Sequence, residues 1–256
     1  VINVFIPTMN RVDRQWTYDR LPDAVKRHTK LVCPPSEAPS HQSRGRNVLW
    51  CKAKGITATR DYILRYCAEQ DIQKFVMLDD DLTIQVRRAD MKIKNATDQQ
   101  MVGAFNWLEK TLDVRAHCGW MVRTAYWAST EMWLECKRMM YALAYNVPMV
   151  MDAKATFGKG LAKDVATMED FNMTLQLLSA GLPNRLSLEY RLNAGPSNVQ
   201  GGCSTWRTTP CQTDSARRLA AMYPHAVTVR EKKAWTGMEA GMMDVRVQWA
   251  KALKKG

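Results

Sequence analysis

An α/β fold with a mixed, mainly parallel central sheet flanked by helices is predicted by three observations. The chain opens on an almost continuous apolar run, Val1 to Ile6, stopped by Pro7. A second run, Phe75-Val76-Met77-Leu78, ends on three consecutive aspartates, Asp79-Asp80-Asp81. Segments of helical period lie between such runs. Continuous apolar strands mark a sheet covered on both faces, and their alternation with helices is the layered α/β arrangement.

The elements follow in order. Val1 to Ile6 is a central parallel strand. Residues 34–47, with Pro34, Pro35, Pro39 and Gly45, form a polar loop, and Val48 to Cys51 a short second strand. Gly55 precedes a helix whose apolar positions Ile56, Ile63, Tyr66 and Cys67 share one face, with Thr57 or Thr59 as its cap. Phe75 to Leu78 is the third strand. Asp98 to Leu112 reads as an amphipathic helix through Met101, Val102, Phe105 and Leu108. Val114 to Val122, Val147 to Ala153 and Leu186 to Leu192 read as strands, and Met168 to Ala180 as a helix stopped by Gly181 and Pro183. Beyond Asn193 the sequence turns to Gly, Ser and Thr, as in a long mobile loop, and then to a basic tail.

Composition narrows the function. The 256 residues, 46% hydrophobic and 24% charged, suffice for one domain with a sizeable core. A net charge of +12 favours a polyanionic partner, although a merely basic protein has the same balance. Seven scattered cysteines fit neither a disulfide framework nor a paired zinc motif and suit a reducing cytosol. No apolar run approaches the ~20 residues that span a bilayer, and the first residues read as a strand rather than a signal peptide.

The aspartate triplet carries the chemistry. In extended backbone Asp79 and Asp81 project to one side and Asp80 to the other. Two carboxylates at about 6 Å repel by about 3 kcal/mol at an effective dielectric of about 20. A divalent cation between them, with phosphate oxygens as further ligands, turns that repulsion into attraction. An acidic turn closing a strand uses the same residues. Ligands of open α/β sheets sit at the carboxyl ends of strands, so Pro7, Thr8 and Arg11, Arg60 and the triplet belong on one rim. Guanidinium groups at Arg11 and Arg60 match a diphosphate. There is no Walker pattern and no GxGxxG after Ile6, which disfavours P-loop and dinucleotide enzymes. Transfer from a sugar nucleotide fits, because a departing nucleoside diphosphate needs a metal and cationic groups.

In order, Val4-Phe5-Ile6-Pro7-Thr8, Gly55 to Asp61, Phe75 to Asp81, and Glu169-Asp170-Phe171-Asn172 with Leu175 resemble a GT-A glycosyltransferase. The run from Gly55 to Leu82 is similar to the phage-encoded TET-associated glycosyltransferases. The resemblance implies one GT-A-like, Rossmann-like domain over 1–256, with 1–95 binding the nucleotide sugar and 96–256 supplying the acceptor side and a closing loop. It implies a UDP-linked nucleotide sugar as co-substrate and Mn2+ or Mg2+ as cation. The acceptor it implies is DNA containing a hydroxymethylated pyrimidine, in the cytoplasm of the infected bacterial host, with no membrane and no obligate protein partner.

Carried over residue by residue, the resemblance places Asp79 near the ribose or base and Asp81 on the metal, with Asp79 sharing the cation and Asp80 beside the donor. It places Pro7, Thr8 and Arg11 along the nucleotide pocket and Arg60 behind the nucleotide, where an ion pair to the aspartates is the plainer reading. Asp170, in the pair Glu169-Asp170, removes the acceptor proton if configuration inverts and positions a substrate if it is retained. Helix capping alone also explains that pair. His225, the only histidine after the pair, reads as structural rather than as a metal ligand, and His28, His41 and His117 have no ligand spacing.

The loop from Gly195 to Arg207 is suited to closing over the donor, with Arg207 on the diphosphate. For a base inside duplex DNA, extrusion is offset by stacking and phosphate contacts. Arg87, Arg88, Trp120, Arg123 and Trp127 are the candidates, helped by Tyr126, Lys92 and Lys94, although the tryptophans also suit a core and the cations a solvated face. Other classes remain open: a GT-A enzyme acting on a protein, glycan or small molecule, and a non-catalytic nucleic-acid-binding module.

Overall fold

Val4 and Ile6 face one side of the sheet and Phe5 the other, and the same alternation recurs at Val76 and Leu78 against Phe75 and Met77. This is why the two apolar runs become neighbouring strands covered on both faces. The computed structural model describes residues 1–122, 124–126, 128–162, 166–194, 208–231 and 241–254. Its first half comprises β1 (Asn3–Pro7), α1 (Trp16–Arg20), α2 (Asp23–Lys26), β2 (Thr29–Cys33), α3 (Ala38–Gln42), β3 (Val48–Trp50), α4 (Gly55–Glu69), β4 (Lys74–Leu78), β5 (Leu82–Arg87) and β6 (Ile93–Asn95). There follow α5 (Asp98–Thr111), β7 (His117–Val122), β8 (Trp133–Glu135), β9 (Ala142–Asn146), α6 (Val147–Asp152), α7 (Glu169–Ser179) and β10 (Arg185–Ala194). The last elements are α8 (Thr209–Met222), β11 (Val227–Glu231), β12 (Met243–Val247) and α9 (Trp249–Ala252).

The main sheet runs β3-β2-β1-β4-β9-β7-β10-β5-β6, with β8 also paired to β10. β1 is parallel to β2 and β4, and β2 to β3. β9 lies antiparallel between β4 and β7, and β7 is parallel to β10. The strands β1 to β4, β7 and β10 therefore point one way while β5, β8 and β9 reverse, giving the mixed, mainly parallel sheet that the sequence predicts.

Helices cover both faces. α5 lays Met101, Ala104, Phe105 and Leu108 against Val4, Val76 and Trp120. It starts at a capping box in which Thr97 and Gln100 satisfy each other's backbone donors. On the opposite face, Ile63, Leu64 and Cys67 of α4 and Met173 and Leu177 of α7 pack on Phe5, Phe75 and Tyr145. Each buried Leu, Ile, Phe or Met among them stabilises the fold by about 1.5–3 kcal/mol. The other side of α7, through Leu175 and Leu178, joins Ala216 and Leu219 of α8 and the small antiparallel pair β11–β12.

Several expectations are corrected. Val147 to Ala153 is not a strand but largely helix α6, because the Asn146 side chain accepts from Met149 N at 3.1 Å and Pro148 suits a first helical turn. The strand lies just before it. Neither Thr57 nor Thr59 caps α4, which starts at Gly55 (φ 81°) without a side-chain cap. Thr57 instead donates to the Ala166 carbonyl and Thr59 to Gly55. β2 went unread, so the strand ending on the aspartates is the fourth. The region after Asn193 is more than a loop and tail: α8, β11, β12 and α9 occupy it, while 195–207 lie outside the described residues.

Candidate active site

The carboxyl ends of β1 and β4 are adjacent because the strands are parallel neighbours, and the first residues after each meet there. Thr17 fixes the backbone of the triplet: its hydroxyl donates to the Asp79 carbonyl at 2.6 Å and accepts from Leu82 N at 2.8 Å, and its N–H donates to the Asp80 carbonyl at 3.0 Å. Asp79 N donates to the Tyr141 carbonyl at 3.1 Å. These bonds hold the triplet at the sheet edge and leave its side chains to set the chemistry.

Asp80, 6% exposed, turns toward the loop after β1. It accepts from Thr8 Oγ1 at 2.7 Å and from Arg11 Nη1. The buried Gln15 donates to Thr8 Oγ1 at 2.7 Å and to the Arg11 carbonyl at 2.9 Å, which fixes both partners of Asp80. Arg11 also lies 3.5 Å from Asp81, whose carboxylate is partly exposed. Asp79 has a different cation. Arg60, buried in the second turn of α4, donates Nη2 to Asp79 at 2.8 Å and Nη1 to Glu169.

Glu169 and Asp170 open α7 after Met168, which adopts a left-handed backbone (φ 63°). Glu169 is buried on Arg60. Asp170 accepts from Arg138 Nη2 at 2.9 Å, and that guanidinium stacks 3.8 Å from the centre of the Phe171 ring. The triplet and the acidic pair, separate motifs in the sequence, are thus one site joined through Arg60.

The charges differ in kind. Burial, against the pull of Arg60 and with help from Asp81, Asp80 and Glu169, pushes Asp79 up to about 6. Asp80 is also raised, by burial more than its Thr8 and Arg11 contacts offset. At Asp170 burial acts upward, but Arg138 and Arg60 together outweigh it and hold the carboxyl below its ordinary range. Asp79 and Asp80 thus stay raised by burial despite their arginine partners, whereas Asp170 is held in its charged form.

Among the described residues, no group of three or more His, Cys, Asp or Glu side chains can hold an ion. Asp79 and Asp81 fit a cation only if a substrate supplies other ligands, as oxygen-rich phosphates do for Mg2+-type ions. The raised Asp79 and the partly exposed Asp81 suit that arrangement.

The remaining candidates scatter. Pro7 ends β1 on the same rim, half-buried. Trp120 is corrected: it is 1% exposed, packed edge-on to Phe105 at 5.2 Å, and has no face to offer DNA. Arg87 donates to the carbonyls of Ser129 and Glu131, bracing that loop, while Arg88 is exposed 3.8 Å from Asp90. Arg123, Trp127 and Arg207 lie outside the described residues. His225 is exposed in the turn after α8, rather than packed. Sequence reasoning missed Gln15, Thr17 and Arg138. No spacing marks them, although Gln15 just before α1 and Thr17 within it are polar residues close after a strand-end loop.

The mixed, mainly parallel sheet with helices on both faces is a GT-A-like fold. A mannosyltransferase from Pyrobaculum calidifontis, solved in complex with GDP-Man and Mn2+, shares the fold with a TM-score of 0.52 at 13% identity, over 91% of this chain and 65% of that one. The family profile of the TET-Associated Glycosyltransferases matches residues 2–184, so the chain belongs to that family and is a glycosyltransferase. Among curated proteins it is similar to the Beta-glucosyl-HMC-alpha-glucosyl-transferase of Enterobacteria phage T6, 23% identical over 88% of this chain and 82% of that enzyme. The enzyme of that name from phage T2 is 24% identical over 66% of this chain and 61% of its own length.

Proposed function

We propose that this chain moves a sugar from a nucleotide-sugar donor, UDP-linked, to the hydroxymethyl group of a modified pyrimidine in phage DNA, within the infected bacterial host. The observation that carries the reading is the Arg60 junction, which sets the diphosphate-binding triplet beside the acidic pair. The HMC acceptor in the names of the phage relatives and the net charge of +12 support DNA as the substrate. Among the described residues no helix is long and apolar enough to cross a membrane.

Residues 1–95 hold the donor and 96–256 the acceptor. Asp81, with Asp79, would hold a Mn2+ or Mg2+ ion, which when bound supplies positive charge to the leaving diphosphate. Pro7 and Thr8 line the nucleotide side, and Arg11, beside Asp81, meets the diphosphate. Where configuration inverts, Asp170, kept ionised by Arg138, accepts a hydrogen bond from the acceptor hydroxyl and takes its proton as the oxygen bonds to the anomeric carbon; where it is retained, Asp170 positions the acceptor or donor sugar. The bond from that carbon to the diphosphate oxygen breaks, and the electron pair leaves with the nucleotide. Arg60 acts through its neighbours, keeping Asp79 and Glu169 in register.

The names of the relatives favour a second acceptor, an HMC that already carries glucose. Both readings meet one experiment: duplexes bearing hydroxymethylated or glucosylated hydroxymethylated bases are incubated with a panel of nucleotide sugars and Mn2+ or Mg2+. Nucleoside mass spectrometry then reads the product. One added hexose or pentose on a single base supports the proposal and identifies donor and acceptor. Gain only on a protein, glycan or small molecule overturns it.

A further inference from the structure

At the opposite end of the sheet from β6, β3 is an edge strand, and the chain leaves its carboxyl end as Trp50-Cys51-Lys52-Ala53-Lys54. Exposure alternates along this stretch: Trp50, Lys52 and Lys54 are exposed, Cys51 is buried and Ala53 half-buried. That is the period of extended chain, and Lys54 is itself extended (φ −100°, ψ 125°). Trp50, at 54% exposure, therefore shares one outward face with two lysines. Lysines on an edge strand deter unwanted strand pairing, but an exposed indole beside them works the other way. The combination fits a partner that has flat rings and negative charge together.

The face continues into a cleft. Lys54 lines a cleft of about 200 Å³ that also takes in Thr57, Arg65, Gly158 and Ala166. Thr57 Oγ1 donates to the Ala166 carbonyl at 2.9 Å, and Ala166 lies just before the Glu169-Asp170 pair. The cleft that Lys54 lines thus reaches Ala166, three residues before Glu169 in the chain.

We propose that Trp50, Lys52 and Lys54 form a docking face for one strand of the acceptor DNA, an inference that rests on the DNA reading above. Trp50 stacks on a base flanking the target, and the lysines, about 7 Å apart along extended chain, meet neighbouring phosphates of that strand. Stacking tolerates any base, so the face adds affinity and register without adding sequence preference.

The test uses Trp50→Ala, Trp50→Phe and the double variant Lys52→Ala/Lys54→Ala, with a fluorescently labelled hydroxymethylated duplex. Affinity is measured across a salt series, and transfer to the duplex is compared with transfer to the free hydroxymethylated nucleoside. Trp50→Ala is expected to weaken duplex binding about 10-fold, with Trp50→Phe restoring most of it. The double-lysine variant lowers the slope of log affinity against log salt by about 1.8. Donor KM and the rate on the free nucleoside stay unchanged. Variants that match a duplex-binding wild type in affinity and salt slope overturn this inference alone. A rise in donor KM with duplex affinity intact overturns it too, assigning the face to the donor base. A wild type that neither binds nor modifies the duplex overturns the acceptor reading and this inference with it.

Discussion

Arg60 and Glu169 stand 109 positions apart in the chain and share a hydrogen bond in the interior, with Asp79 on the other guanidinium nitrogen at 2.8 Å. Removing one partner of a buried pair strands the other's charge. Arg60→Met is expected to destabilise the protein by about 3 kcal/mol, and the double variant Arg60→Met/Glu169→Leu to recover part of that loss. Denaturant unfolding of both variants checks it; equal stability of the two would contradict the pairing.

Arg138 governs the charge of Asp170. Burial raises that carboxyl, and the Arg138 guanidinium does most to hold it down. In Arg138→Ala the acid needs a higher pH to ionise, so the acidic limb of the kcat profile moves up in pH. An unmoved limb would show that Asp170 does not titrate in the rate.

His117 links stability to acid. Burial, only partly opposed by its bond to the Leu182 carbonyl, lowers its pKa from 6.5 to about 4. The unfolded chain therefore takes up this proton first. The contribution is complete above about pH 6.5 and is lost as pH falls toward 4, on the order of 3 kcal/mol. Asp79, raised to about 6, has the opposite sign: its contribution is complete below about 4 and is lost as pH rises through 6. Comparing wild type with His117→Gln isolates the histidine. Between pH 7 and 4.5 the wild type should lose more unfolding free energy than the variant.

Gly119 connects packing to the site. A Cβ there would lie 2.5 Å from the Ala142 carbonyl oxygen, and β9, which carries Ala142, follows directly on the Tyr141 carbonyl that holds Asp79 N. Gly119→Ala is expected to cost about 1–3 kcal/mol and to lower transfer as β9 shifts. Thermal melting and a transfer assay read both effects.

What the sequence made legible is what local pattern controls. The runs ending at Pro7 and Asp79 announced their strands because both faces are buried, and α5 and α7 showed their apolar stripes. α6 was misread because Val147, Met149 and Val150 suit either state, while the deciding signal, Asn146 followed by Pro148, is a helix start. β2 is as long as β1, but Thr29 and Lys30 cut its apolar run to Leu31, Val32 and Cys33. Asp79, Asp80, Glu169 and Asp170 were visible as acidic motifs, and their meeting was not, since it depends on a buried arginine. Trp120 and Trp50 differ only in burial, which composition does not reveal; the first is core and the second stands in solvent.

Asp81→Ala tests the central claim most directly: that the triplet and the acidic pair make one transferase site. Sugar transfer and donor hydrolysis are measured beside DNA affinity in the same preparation. The account predicts loss of both activities by about 10²–10³-fold with duplex binding kept. Full transfer by the variant would contradict it.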